Sequence, residues 1–323
     1  MSKLPLFNPP RLLRNRHLQT LWTRIRARRN RLNYRQQTLL ASDGEQLLLH
    51  WAANITAQTK TIVLLLHGLE GSAESDYIKG MVANLASPER VPVVFEFRGC
   101  GQAPNQTERS YHSGEISDLS CVLSFLQQHY PTAAIHAVGF SLGGNVLVRY
   151  LGTTGSKSLV ERAAVISAPL ELAACAKQLS HWSAYIYKRY LLNSLVNKTI
   201  AAYQHKSWQH FRPPHPNQVR RVRSFWHFDN LVTAPLHGFD GADHYYQQCS
   251  GKQYLKGIQR PTLILHAQDD PFMNNEVIPT AAELSNHVDY VLTRHGGHVG
   301  FIQGSLLKPE HWLEQVVPDW LAR

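Results

Sequence analysis

Ala137-Val138-Gly139-Phe140-Ser141-Leu142-Gly143-Gly144-Asn145 decides the fold. It joins an apolar β-type run, Ala133 to Val138, to a helical run, Leu142 to Leu151. That order predicts strand, sharp turn and helix, with a G-x-S-x-G pentapeptide at the corner. Such a corner holds Ser141 in a sparsely populated backbone conformation, so its neighbours must be small. Gly139 and Gly143 supply that by removing the Cβ atoms that would collide between strand and helix. The Ser141 hydroxyl then projects at the C-terminal end of a sheet. The N–H of Leu142 sits at a helix N-terminus, where negative charge is favoured. Alone, the pentapeptide is equally a Gly-rich turn with an exposed serine, and only its surroundings decide.

Working outward, strands and helices alternate at short spacing. Thr38 to Trp51 reads as a hairpin turned at Asp43-Gly44. Thr61 to Leu66 is a buried strand that runs into His67-Gly68-Leu69-Glu70-Gly71-Ser72. A Gly-rich loop leaving a strand can turn backbone N–H groups inward, and here the Leu69 N–H would stand opposite that of Leu142 as a second oxyanion donor. The plain alternative is a strand–helix turn. A helix around Tyr77 to Leu85, a strand Val91 to Phe95, a helix from about Gly114 to His129 and a strand Ala163 to Ser167 follow. The pattern predicts an α/β fold with a mostly parallel central sheet and helices on both faces.

Between about Pro169 and Arg260 the alternation stops and aromatic residues concentrate, among them Trp182, Tyr187, Trp208 and Tyr245. This stretch is expected to be an inserted helical cap that walls a pocket, although most of its aromatics are accounted for by the cap's own core. The sheet resumes at Thr262 to His266, followed by Asp269-Asp270-Pro271. Val288 to Leu292 is a further strand, followed by His295-Gly296-Gly297-His298, and a helix closes the chain at Trp312 to Leu321. The expected organisation is a basic segment over residues 1–35 packed on or near the core, a core of 36–168 and 261–323, and a cap of 169–260.

Ser, Asp and His occur in the chain order that suits this architecture. A serine hydroxyl is a poor nucleophile at neutral pH and needs an adjacent base. His298 would be that base, and Asp270 would hold its tautomer and stabilise the imidazolium. Asp270 is preferred to Asp269 because the acid in such loops usually stands fourth after the strand. His298 is preferred to His295 because two preceding glycines let the loop swing inward. A rival metal site from His295, His298 and the aspartates leaves the Ser141 corner unexplained, and there is no H-E-x-x-H helix.

The four cysteines have no framework spacing and suit a reducing compartment. With no apolar leader and no run long enough to span a bilayer, a cytoplasmic protein is expected, with attachment to the inner membrane surface left open. The net charge of +10 is local. Residues 1–35 hold ten Lys and Arg and no acid, leaving 33 − 10 = 23 basic against 23 acidic side chains in the rest. Arg16 to Arg29 could form a helix with Leu18, Leu21, Trp22 and Ile25 on one face. It would either dock on the domain with a solvated charged face or lie on an anionic membrane. Nucleic acid is disfavoured, because no nucleic-acid fold signature accompanies the arm.

The chain resembles the α/β-hydrolase superfamily and, within it, the YheT-type esterases, bacterial relatives of eukaryotic lipid-hydrolase domain proteins and yeast medium-chain ethyl-ester synthase/esterases. The matching stretches run nearly end to end: His17-Leu18-Gln19-Thr20, His67 to Gly71, Phe97-Arg98-Gly99-Cys100-Gly101, Gly139 to Asn145 with Tyr150-Leu151-Gly152, and Asp269-Asp270-Pro271. The resemblance implies a Ser141–Asp270–His298 triad, no cofactor, and hydrolysis of carboxylic esters, acylglycerol-like or short-chain. Capture of the acyl group by an alcohol instead of water uses the same residues. A non-catalytic protein on a hydrolase scaffold is the alternative of another class.

Overall fold

The computed structural model describes residues 4–25, 32–101, 105–305 and 307–323. The expected basic helix is described from Arg16 to Ile25 (α1). Its continuation to Arg29, and the side chains of Lys3, Arg24, Ile25, Arg26, Arg28, Arg29 and Arg31, lie outside the described residues.

An eight-stranded sheet forms the centre. Its strands are β1 (Arg35–Leu40), β2 (Gln46–Trp51), β3 (Thr61–Leu66), β4 (Arg90–Glu96), β5 (Ala134–Phe140), β6 (Arg162–Ile166), β7 (Thr262–Ala267) and β8 (Val288–Thr293). Their spatial order is β1-β2-β4-β3-β5-β6-β7-β8. The hairpin β1–β2 is antiparallel and pairs antiparallel to β4, while every pair from β4 to β8 is parallel. Parallel strands need crossovers, and these put helices on both faces. The central strands accordingly bury both sets of side chains. On β3, Ile62, Leu64 and Leu66 face one core with α3 (Ser117–His129) and α4 (Leu142–Thr154). Val63 and Leu65 face the other, with α2 (Asp76–Leu85) and the C-terminal helix α11 (Trp312–Leu321).

Between β6 and β7 the chain is helical: α5 (Leu172–Ser180), α6 (Tyr185–His205), α7 (Pro216–Arg220), α8 (Phe225–Phe228), a π-helical turn at Asp229–Thr233, α9 (Ala234–Leu236) and α10 (Ala242–Cys249). Two apolar clusters fill this part. Leu172, Tyr187, Leu191, Phe225 and Tyr245 belong to one, and Leu192, Ile200, Val219 and Phe228 to the other. A short antiparallel pair, β9 (Ile302–Gly304) and β10 (Pro309–His311), lies between the His298 loop and α11 and was not foreseen from sequence.

α1 divides its apolar side chains. Leu18 and Trp22 pack with Leu13 and Ile302, whereas Leu21 packs against the α5–α6 cluster. The helix therefore touches both the loop after β8 and the helical insertion.

Candidate active site

The β5–α4 corner is as tight as its glycines imply. Ser141 has φ 49° and ψ −120°, a region that non-glycine residues rarely occupy. Its N–H donates to the Ile166 carbonyl at 2.8 Å, and its carbonyl accepts from the Asn145 N–H at 3.1 Å. A Cβ on Gly143 would lie 2.5 Å from the His67 carbonyl oxygen, and one on Gly139 would lie 2.7 Å from that of Gly143. Only glycine lets α4 start this close to the end of β3. Asn145 is fully buried and uses its whole amide. Its Nδ2 donates to the Ser113 and Cys249 carbonyls at 2.8 and 2.9 Å, and its Oδ1 accepts from the Gly251 N–H at 2.9 Å. One side chain thus ties the helix that carries Ser141 to the segment where the insertion returns to the sheet.

Residues from three strand ends converge on Ser141. Its Oγ lies 2.9 Å from His298 Nε2. His298 Nδ1 lies 2.8 Å from Asp270 Oδ2. The other Asp270 oxygen accepts from the Phe272 N–H at 2.8 Å, and the carboxylate is buried. The Phe272 ring stacks flat on the His298 imidazole, with centroids 4.0 Å apart and planes 9° apart. Between the two candidate carboxylates, Asp270 is the one on His298. Asp269 serves the same loop differently, accepting from the Gly297 N–H at 2.9 Å and lying 3.3 Å from His295 Nδ1. Burial is the largest influence on Asp269 and pushes its pKa up. The aspartate pair and the histidine pair so form two parallel contacts, of which only one reaches the serine. Among the described residues, no group of three or more His, Cys, Asp or Glu is arranged to hold a metal.

The loop after β3 is clamped amide by amide. The Gly68 N–H donates to the Tyr77 hydroxyl at 2.9 Å, the Glu70 N–H to the Tyr111 hydroxyl at 3.1 Å, and the Gly71 N–H to the Gly68 carbonyl at 3.0 Å. Among the described residues the Leu69 N–H has no acceptor. That of Leu142, at the first position of α4, has none either, as expected for the first turn of a helix. Both residues line the same cavity as Ser141 and His298. His67 holds the loop from below. Its Nδ1–H donates to the Gly68 carbonyl at 2.7 Å and its Nε2 accepts from the Phe97 N–H at 3.1 Å. Burial lowers its pKa to about 4, so the ring is neutral. Glu70, at φ 56°, hydrogen-bonds the Tyr111 hydroxyl at 2.7 Å. Ser194 and Lys198 of α6 also reach its carboxylate, linking the loop to the insertion.

Sequence reasoning gave no role to Gln19 and Thr20, and these hold the His298 loop. The Thr20 hydroxyl accepts from the His298 N–H at 2.9 Å while donating to the Arg16 carbonyl at 2.7 Å. Gln19 is fully buried. Its Oε1 accepts from the Ile302 N–H at 2.7 Å, and its Nε2 donates to the Ile302 carbonyl at 2.8 Å. The loop they grip contains Val299 and Phe301 at φ 61° and 48°, conformations that persist only where neighbours fix them. A clue in the sequence is that the pair lies within His17-Leu18-Gln19-Thr20, one of the stretches that carry the family resemblance.

The cavity over Ser141 has a volume of about 750 Å³. Leu172, Leu179, Leu191, Leu195, Phe225 and Phe272 supply much of its apolar wall. A volume of that size suits a small or medium-sized apolar ligand.

Comparison with known proteins agrees with this fold. A family model described as "alpha/beta hydrolase fold" matches residues 61–305. YheT of Escherichia coli (strain K12) is 43% identical over 98% of this chain and 93% of its own length. Phospholipase ABHD3 of Mus musculus is 31% identical over 84% of this chain and 67% of its own. Among solved structures, the Pyrococcus furiosus esterase Pf2001 superposes with a TM-score of 0.60 at 17% identity, covering 100% of this chain and 99% of that one, which speaks to the fold alone. The chain belongs to the α/β-hydrolase family and, within it, to the group of YheT.

Proposed function

We propose that this protein is a serine hydrolase of carboxylic esters that works through an acyl-enzyme on Ser141, with short- to medium-chain acyl esters or acylglycerol-like lipids as substrates. The observation that carries the proposal is the unbroken line from Ser141 Oγ through His298 to Asp270, beside a Leu69 N–H that has no acceptor. His298 Nε2 takes the hydroxyl proton as Oγ attacks the ester carbonyl carbon. The carbonyl oxygen becomes an oxyanion held by the N–H groups of Leu69 and Leu142, each contributing on the order of 3 kcal/mol to the barrier reduction. Asp270 keeps the Nδ1 proton in place and balances the imidazolium. The alcohol leaves with the proton from Nε2. Water then gives a proton to the same nitrogen as its oxygen attacks the acyl carbon, and the bond from that carbon to Oγ breaks as Nε2 returns the proton to Ser141 Oγ, releasing the acid.

The helical insertion acts as a cap whose apolar walls receive the acyl chain, and the relative named a phospholipase supports lipid esters as the substrate class. The acid-free N-terminal segment favours an anionic lipid surface as the place where such substrates are met. Ser141→Ala should lower turnover of p-nitrophenyl acyl esters by about 10⁴-fold or more, with thermal unfolding unchanged. Undiminished turnover by the folded variant would refute the assignment.

A further inference from the structure

The longest helix of the insertion, α6, is two-faced. Ala184 at its N-cap, with Tyr187 and Leu191, points inward and is buried, and further along Leu195 and Thr199 line the cavity. At its N-terminal end the outer side is apolar as well. Trp182, on the turn that leads into the helix, is 81% exposed, Ile186 is 70% exposed and Tyr185 is 52% exposed. Spaced at i, i+3 and i+4, they share one face. A solitary exposed apolar side chain needs no explanation, but an aromatic–aliphatic group on one helix face marks a contact surface.

The charge around this face says what it meets. From Leu172 to Phe228 the chain carries four Lys and five Arg and no Asp or Glu. Arg189 follows the apolar face directly, and the Lys188 ammonium lies 5.6 Å from the Tyr185 ring centroid. A second acid-free stretch reaches the start of α6 from its buried side, where His17 Nδ1 of α1 lies 3.1 Å from the Tyr187 hydroxyl and the rings stack. Nothing acidic precedes Asp43 in the chain. Trp and Tyr at the rim of an apolar group, interleaved with Lys and Arg, fit the interfacial zone of an anionic bilayer, where aromatic rings sit at headgroup depth and cations meet lipid phosphates. No described helix is long and apolar enough to cross a membrane, so the contact is one of surface binding.

We propose that Trp182, Tyr185 and Ile186, flanked by Lys188 and Arg189, form a docking face for an anionic phospholipid surface. The helix that rests on the lipid is then the one whose inner side walls the cavity, so an amphiphilic ester passes from bilayer to pocket along a single element. Binding itself needs no catalysis and is measured on the full chain carrying Ser141→Ala, which leaves the lipid intact. Sedimentation with phosphatidylcholine vesicles, with and without phosphatidylglycerol, should show retention only by the anionic vesicles. Trp182→Ser with Ile186→Ser should raise the lipid concentration for half-binding about tenfold or more, and so should Lys188→Glu with Arg189→Glu. In the Ser141 background neither pair should alter turnover of a soluble short-chain ester. That control separates a failed docking face from a failed esterase assignment and reports on folding. Lack of retention of the full chain, retention of both variants as tight as the parent's, or a solution dimer that the Trp182→Ser, Ile186→Ser pair dissociates would overturn the proposal.

Discussion

The rim that carries Ser141, Asp270 and His298 and the helical walls above it are held together in opposite ways. At the rim nearly every polar group has a partner: Asn145, Thr20, Gln19, Asp269 and His67 each make hydrogen bonds that position a loop rather than fill space. The walls are built from Leu, Phe and Tyr side chains in two apolar clusters, and their hydrogen bonds, such as those of Ser194 to Glu70 and Tyr246 to Asp229, brace the helices rather than the reacting atoms. Directional bonds fix atoms to fractions of an ångström, as proton transfer requires. Apolar packing fixes volume, which sorts substrates by size and tolerates change. Substitutions at the rim should therefore act on the rate for every ester, and substitutions in the walls on the choice among esters.

The sharpest break of this contrast lies within the rim. Asp270→Asn should lower kcat by about 10⁴-fold, whereas Asp269→Asn, which loses only a brace of the loop, should cost about tenfold or less. Steady-state kinetics on one soluble ester decides it, and equal losses would erase the distinction between the two carboxylates. Next in size is the pH dependence of stability. Burial lowers the pKa of His67 and His266 to about 4 from 6.5. Between these values the unfolded chain binds more protons than the folded one. Their contribution is complete above pH 6.5 and falls toward pH 4 by about 1.4 kcal/mol per pH unit and group. Denaturant unfolding at pH 7 and 5.5 should show the drop, and His266→Gln should make it smaller by one group's share, the other buried histidines keeping theirs; a decline of unchanged size in the variant would contradict the assignment.

Leu195→Trp tests the walls. It should reduce kcat/KM for long-chain esters about tenfold or more while leaving acetate or butyrate esters within about threefold. A uniform loss across chain lengths would make this wall part of the rim's machinery instead. The smallest effect is expected at Thr20. Thr20→Val removes the acceptor for the His298 N–H and should lower kcat about fivefold to tenfold, and Thr20→Ser should restore it.

What could be read from the sequence follows the same division. The Gly139–Gly143 spacing marks the corner because only glycine tolerates the contacts that the corner makes, and Asp270 was preferred from its distance beyond β7. The pairing of Asp269 with His295 was not legible, because two adjacent acids and two nearby histidines admit either pairing until the loop's path is known. Nor was the grip of Gln19 on Ile302. These residues lie 283 positions apart, and no local pattern encodes such a contact. The boundary of β5 fell short for a related reason. Gly139 is a poor strand former and interrupts the apolar run, but it and Phe140 pair with Val165 and Ile166 once β6 is beside them. The aromatic-rich insertion showed its helical nature but not which rings face the cavity and which face out, because at the start of α6 both sides are apolar.

The central claim is that the Ser141 hydroxyl, activated by His298, is the nucleophile. Labelling the full chain with a fluorophosphonate, followed by peptide mapping, tests it most directly. The account predicts one stoichiometric adduct on Ser141 that His298→Ala abolishes; an adduct on another residue, or no adduct on a protein that still turns over esters, would contradict it.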